Sequence, residues 1–381
     1  MTIDEIPDSS PRTTTTLAEQ KPLVGIAGSA AARRLDMRVL VVASSEAAAM
    51  APHIDVNVSG LVVAGADALS TVRGLRHVYP DLLLMAEPVA PKEYVATEDH
   101  PFMLDLSGIF PQTLDDVLAG QAHAGASVMV TPTGFIDAGN SDALKAAVEQ
   151  ANLVERDDIV VLLPLHFRWS ADPDVKQLIA VAKRSKHPVA IALGDRGNPL
   201  ANKGVPAGYQ QLFTAVPWAM PWRTDLAGFD ALANGAKAAV IGQLPSLRRF
   251  DLPGKTGFAQ RPGEKVPHIL LPEQLRYSRT SFMQESWFAS VQPYTCECRI
   301  CDGRAVDRFG GSPEHRLEGH LHNLVAISEM RREIGDLDEA ERKQWWLGRL
   351  RRADHAHHTL ASYTSTKVDL PADIKEWTRL A

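Results

Sequence analysis

No apolar run in this chain approaches the roughly 20 residues that a membrane-crossing helix needs, which excludes a helical membrane protein. Cysteine is scarce. Its three residues, Cys296, Cys298 and Cys301, sit within one short stretch. An odd, clustered set excludes a disulfide framework and points instead to metal binding in a reducing compartment. The N-terminus lacks the basic start and apolar core of an export signal, since Asp4, Glu5 and Asp8 precede a Ser/Thr-rich run over 9–16. A cytoplasmic location is therefore expected, with residues 1–20 as a disordered tail. An excess of positive charge is missing too. Lys and Arg number 40 against 46 Asp and Glu, so contact with a polyanion has to come from a local basic face. A Gly-rich phosphate loop, a Ser-His-Asp ordering and a dinucleotide fingerprint are all absent.

What the sequence does contain is a strand-helix alternation. From Arg38 onward, short β-branched runs at 39–43, 60–64, 82–86, 103–106, 127–131, 159–165, 189–193, 214–219 and 239–242 predict strands. Helical patterns such as 141–151, 174–185 and 225–235 lie between them, and that alternation implies a parallel sheet. Eight or nine units in about 210 residues favour a closed (β/α)8 TIM barrel over an open doubly wound sheet. Residues 251–285, rich in Pro, Gly and Lys, read as a long connection. The layout expected is a barrel domain over 21–285 and a C-terminal zinc-binding helical subdomain over 286–381, with helices at 317–334, 339–358 and 372–380.

The sharpest chemical signal is C-x-C-x2-C. Three thiolates on one tight turn are three corners of a closed tetrahedral site, the geometry of structural zinc, and His322 can supply the fourth. His320 and His315 compete with it. Four protein ligands leave no open position, so such an ion holds the fold and does not activate water.

The run Pro293-Tyr294-Thr295-Cys296-Glu297-Cys298-Arg299-Ile300-Cys301, followed by His322-Asn323-Leu324, Met330 and Arg331-Arg332, resembles the zinc subdomain of the tRNA-guanine transglycosylase family. Looser similarities run through the barrel in order: Leu106-Ser107-Gly108-Ile109-Phe110, then Ala190-Ile191-Ala192-Leu193-Gly194-Asp195, then the stretch 222–245 ending in Leu244-Pro245. The resemblance implies a (β/α)8 barrel with an appended structural Zn2+ site, action on guanine or 7-deazaguanine in tRNA or DNA, and a homo- or heterodimer.

The same resemblance exposes what is missing. Base exchange needs one carboxylate to attack the anomeric carbon and a second carboxyl group for proton transfer. The position matched to the family's nucleophile is Val240 or Ile241, neither of which can do this, so a non-catalytic partner subunit or nucleic-acid-binding member, or a barrel enzyme of small-molecule nucleoside metabolism, stands as the alternative to a transglycosylase. The second aspartate aligns with Leu106, one residue from Asp105. The guanine-selecting segment, 128–133, carries no carboxylate, and a Gln-Gly-Gly element is replaced by Pro164-Leu165-His166-Phe167-Arg168-Trp169. Barrels place their chemistry at strand C-terminal ends. Those ends offer Glu87, Asp105, Thr131, His166, Arg168, Asp195, Arg223 and Gln243. Asp105 and Asp195 are the candidate acids; Asp195 also has the setting of a turn. Ser107, His166, Arg168 and Gln243 are candidate substrate contacts. A further stretch, 342–352, sets Arg342, Lys343, Arg349, Arg351 and Arg352 beside Trp345 and Trp346. It reads either as a helix tracking a phosphate backbone or as an amphipathic packing helix.

Overall fold

Runs such as Arg38–Ala43 are apolar on both faces, and the structure uses both. The computed structural model describes residues 26–88, 94–108, 110–254 and 265–380; the expected tail over 1–20 lies outside them. In the first half, α1 (Ala30–Leu35), β1 (Arg38–Ala43), α2 (Ala47–Met50), β2 (Ser59–Val63), α3 (Ala68–Val78), β3 (Leu84–Ala86), α4 (Leu114–His123) and β4 (Met129–Val130) follow one another. The alternation continues with α5 (Ser141–Ala151), β5 (Ile159–His166), α6 (Asp174–Ala182), β6 (Val189–Gly194), α7 (Val205–Ala215), β7 (Ala219–Pro221), α8 (Ala227–Ala233) and β8 (Ala238–Gly242).

These eight strands form two four-stranded parallel sheets, in the orders β3-β2-β1-β8 and β4-β5-β6-β7. The sheets meet along two edges, β3 with β4 and β7 with β8. Ser127 N donates to Leu84 O at 2.6 Å beside the starts of β3 and β4. Past β7, Thr224 N donates to Val240 O at 3.1 Å and Gly242 N to Thr224 O at 2.9 Å. Side chains alternate across each strand. Leu40, Val62, Met85, Val130, Leu162, Ala190, Met220 and Val240, one from each strand, meet in a single apolar cluster. The opposite faces, including Val161, Ile191, Ala239 and Ile241, pack against the helices.

Three expectations shift. Residues 103–106 form no strand: Leu104 packs against the main core and Met103 N donates to Pro132 O at 2.8 Å, but Asp105 and Leu106 are exposed and the chain turns away at Ser107. Helix α7 runs to Ala215 because Leu212 and Phe213 extend its buried face, which delays the strand expected at 214–219 to Ala219. The connection expected over 251–285 contains an antiparallel hairpin, β9 (His268–Leu271) and β10 (Arg276–Arg279); its Pro, Gly and Lys content concealed the short alternation, and 255–264 lie outside the described residues.

After α9 (Thr280–Phe282) and a short ribbon of β11 (Thr295–Cys296) and β12 (Arg304–Ala305), three helices finish the chain: α10 (Pro313–Gly335), α11 (Glu339–Thr364) and α12 (Ala372–Leu380). Ser312 caps α10 and an Asp338/Glu341 capping box opens α11, each satisfying amides that a helix start leaves unpaired. Helix α11 packs on α8, where Asp230 is fully buried and accepts from Gln210 Nε2 at 2.9 Å. No helix among the described residues is long and apolar enough to cross a membrane.

Burial pushes the Asp230 carboxyl up to about 7, well above its unfolded value. Between those two values the native state binds the extra proton, so stability falls as pH rises through this window and levels off above it. We expect denaturant titrations to show a loss of about 2 kcal/mol between pH 5 and 6.5 that Asp230→Asn abolishes. A parent and variant with the same pH slope would refute the assignment.

Candidate metal centre and the strand-end cavity

The C-x-C-x2-C turn folds as a knuckle because its carbonyls are satisfied locally. Cys301 N donates to Cys298 O at 2.9 Å and Gly303 N to Cys296 O at 3.0 Å. Gly303 takes a left-handed conformation, φ +73°, that glycine adopts without cost. Helix α10 crosses the knuckle and brings in His322, whose Nδ1 lies 3.7, 3.4 and 3.3 Å from the sulfurs of Cys296, Cys298 and Cys301. All four donor atoms lie within 4.8 Å of one another. A tetrahedral ion with bonds of about 2.3 Å to sulfur and 2.0 Å to nitrogen needs N···S separations of about 3.5 Å. The group fits.

The surroundings select the ligand atom. His322 Nε2–H donates to Leu270 O at 2.8 Å, which fixes the tautomer and leaves Nδ1 directed at the sulfurs. Arg308, itself held by Glu318 at 2.7 Å, donates to Cys301 Sγ at 3.3 Å. Three thiols this close cannot titrate independently. Hydrogen bonds with Cys296 and Cys301 draw the Cys298 thiol far below its usual range, while those with Cys296 and Cys298 push Cys301 up. A cation displaces the contested protons. Of the competing histidines, His315 accepts from Gly310 N at 2.8 Å, and His320 is buried away from the sulfurs with its carbonyl taken by Gln243.

At the C-terminal ends of the strands lies a second feature, a cavity of about 150 Å³ lined by Glu87, Thr133, Pro164, Arg223, Phe250 and Asp251, among others. Glu87 follows β3 and Arg223 follows β7. They meet in a buried two-pronged ion pair, Nε to Oε1 at 2.8 Å and Nη2 to Oε2 at 2.5 Å, and the Trp222 indole adds a third donor at 2.7 Å. Burial opposes the charge on Arg223, but Glu87 outweighs it and holds the guanidinium above its usual pKa. The Phe250 ring centroid lies 5.7 Å from the same guanidinium. Glu87 and Arg223 each stand out in sequence only as residues after a strand; nothing in the chain signals a pairing across 136 positions.

Glu87 and Arg223 are the strand-end residues that line this cavity; the candidate acids and substrate contacts, Asp105, Asp195, Ser107, His166, Arg168 and Gln243, do not. Asp105 is exposed and accepts from Ser107 N at 3.0 Å and Ser107 Oγ at 2.6 Å, contacts that lower its pKa. The neighbouring Ile109 lies outside the described residues. Asp195 accepts from Arg196 N at 2.6 Å and Asn202 Nδ2 at 2.9 Å, a turn. His166 Nδ1 caps a short 3-10 turn by accepting from Arg168 N at 3.3 Å, with Arg168 itself exposed. Gln243 is buried and donates to His320 O at 2.9 Å, tying β8 to α10.

On α11, Arg349 is buried between Glu273 at 3.1 Å and Glu333 at 2.6 Å, Lys343 pairs with Glu339 at 2.7 Å, and Arg342 donates to Met37 Sδ at 3.0 Å. Trp346, Leu350, Ala353, His357 and Leu360 form its buried stripe. Arg351 and Arg352 alone of its five cations are exposed. The helix is a packing element. No family model matches the chain and no curated protein matches it, so the functional reading rests on these residues and their geometry.

Proposed function

We propose that this chain is a transglycosylase-like zinc protein that serves guanine or 7-deazaguanine modification of nucleic acid without itself forming the covalent base-exchange intermediate. The observation that carries this reading is the inward column of β8. Val240 lies in the apolar cluster between the sheets, and Ile241 faces the helices. By alternation the next inward position is Gly242, where a Cβ would lie 2.1 Å from Leu247 O. No carboxylate can reach the strand end from β8, and Asp105 is held in its own surface turn.

Two further features support the reading. The hydrogen bonds at Ser127–Leu84 and Thr224–Val240 are what closure of the two sheets into one (β/α)8 barrel requires. A Cys3His donor set with a fixed histidine tautomer, closed to a fifth ligand, suits zinc as a structural ion. The cavity is smaller than the roughly 300 Å³ of ordinary ligand pockets, and its carboxylates, arginine and phenyl ring suit a small planar group rich in N–H donors, such as a single base. A catalytic partner subunit would then supply the missing nucleophile.

The test is exchange of labelled guanine into tRNA by the purified chain. No incorporation is expected. Robust incorporation would overturn the reading and assign the nucleophile to a residue outside β8.

A further inference from the structure

We propose that a groove at the N-terminal ends of the strands, opposite the cavity, binds the phosphate backbone of a nucleic acid through Arg34, Arg38, Arg73 and Arg76. The inference rests on the nucleic-acid reading above and gives it a surface that the packed helix α11 does not provide. Two adjoining hollows of about 420 and 760 Å³ make up the groove; they share Arg76 and Gly125. Their walls hold those four arginines with His77 and His123 against a single carboxylate, Asp81. That local excess of positive charge stands out on a chain whose net charge is −6.

Three of the arginines are built into place, and Arg73 is exposed beside them. Arg34 and Arg76 converge on one residue: Arg34 Nη1 donates to Ser127 O, and Arg76 Nη2 donates to Ser127 Oγ at 2.7 Å. Arg76 Nε adds a bond to Gly125 O at 2.8 Å, and Gly125, at φ +92°, has no Cβ to strike the Arg76 side chain. Arg38, the first residue of β1, donates to Ser59 O at 2.8 Å. Every one of these bonds ends on a carbonyl or hydroxyl oxygen. Among the described residues none of the four guanidinium groups makes a salt bridge with a carboxylate. Partial burial and then the charge of Arg34 lower the pKa of Arg76, and the single carboxylate of Asp81 offsets them only in part. An anion placed between them relieves that repulsion. Guanidinium forks match phosphate oxygens two at a time, and cations spread over two joined hollows suit successive phosphates better than a single one.

Fluorescence anisotropy with a tRNA and with a short DNA duplex, at salt from about 50 to 200 mM, tests the proposal. The full chain should bind at low salt and lose affinity linearly on a log-log plot. Arg34→Glu with Arg73→Glu, both at exposed positions, should weaken binding at least tenfold and flatten the slope by about two units, with metal content and melting temperature retained. Should the double variant fold poorly, Arg73→Gln alone should still remove about one unit. Arg351→Ala with Arg352→Ala, on α11, should change neither. If the parent binds and the groove variants bind equally well, the groove is refuted and the nucleic-acid reading survives. A parent that binds neither probe overturns both. Full displacement by inorganic pyrophosphate, with a slope near one, would make this a small-phosphate pocket and refute backbone tracking.

Discussion

Cys298→Ser protein is expected to purify with little metal and a sharply lower melting temperature, whereas the parent is expected to carry about one zinc per chain. The effect should be large because the donor set sits where the knuckle, the β9 hairpin and α10 pack together. Cys301 is fully buried in a cluster with Phe309 and Trp287, and the same cluster takes in Leu271 of β9 and Leu360 of α11. Losing the ion leaves three crowded thiols and an imidazole at the centre of that packing. Structural zinc in small domains contributes about 10 to 16 kcal/mol of apparent binding energy, and a bound ion here would spread it over the knuckle, α10 and the hairpin. Acid should release the ion as well, since both the thiolates and the imidazole must be deprotonated to ligate. Melting by circular dichroism, paired with elemental analysis, checks this. A metal-free parent that melts at the same temperature would sink the assignment.

Arg223→Met is the second substitution with a large expected effect. Removing the guanidinium strands the Glu87 carboxylate, 5% exposed, with only the Trp222 indole as donor. Breaking a buried ion pair from one side costs about 3 to 5 kcal/mol, because the surviving charge has lost both water and its partner. The double variant Glu87→Gln with Arg223→Met removes the stranded charge and should recover most of that loss, a non-additivity that identifies the pair as coupled. Denaturant midpoints of the four proteins supply the cycle. Single and double variants that lose equal stability would show that Arg223 matters for packing rather than for charge.

Legibility in sequence followed the range of the interaction. The knuckle could be read because its three sulfurs lie on one turn and their spacing is local geometry. Strands such as β1, β5, β6 and β8 appeared where periodicity marked them, since unbroken β-branched runs bury both faces. Failures came at segments whose state depends on a distant partner. Residues 103–106 carry strand-like composition, but only Leu104 finds the core, while Asp105 and Leu106 stay exposed in a surface turn. The hairpin β9–β10 is short enough that only the α10 helix packed against it makes it worth forming, through Asn323 Oδ1 accepting from Leu270 N at 2.7 Å.

Charge followed the same rule. The row of cations on α11 is plain in sequence, yet Glu273, Glu333 and Glu339 claim Arg349 and Lys343, and two of those three acids lie far outside the row. The groove arginines are scattered over more than 40 residues and are brought together only when β1 and α3 pack against the turn before β4. Sequence by itself determined the cysteine knuckle of the candidate metal site, the strand-helix alternation and the lack of a carboxylate on β8, because each is a property of neighbours along the chain. The Glu87–Arg223 pair, the placement of Asp105 and Asp195 in their own turns, and the choice of which cations remain without acidic partners were decided only by the tertiary structure. Ionic and hydrogen-bonding partners are chosen by distance in space, and distance in space is set by how the strands and helices pack.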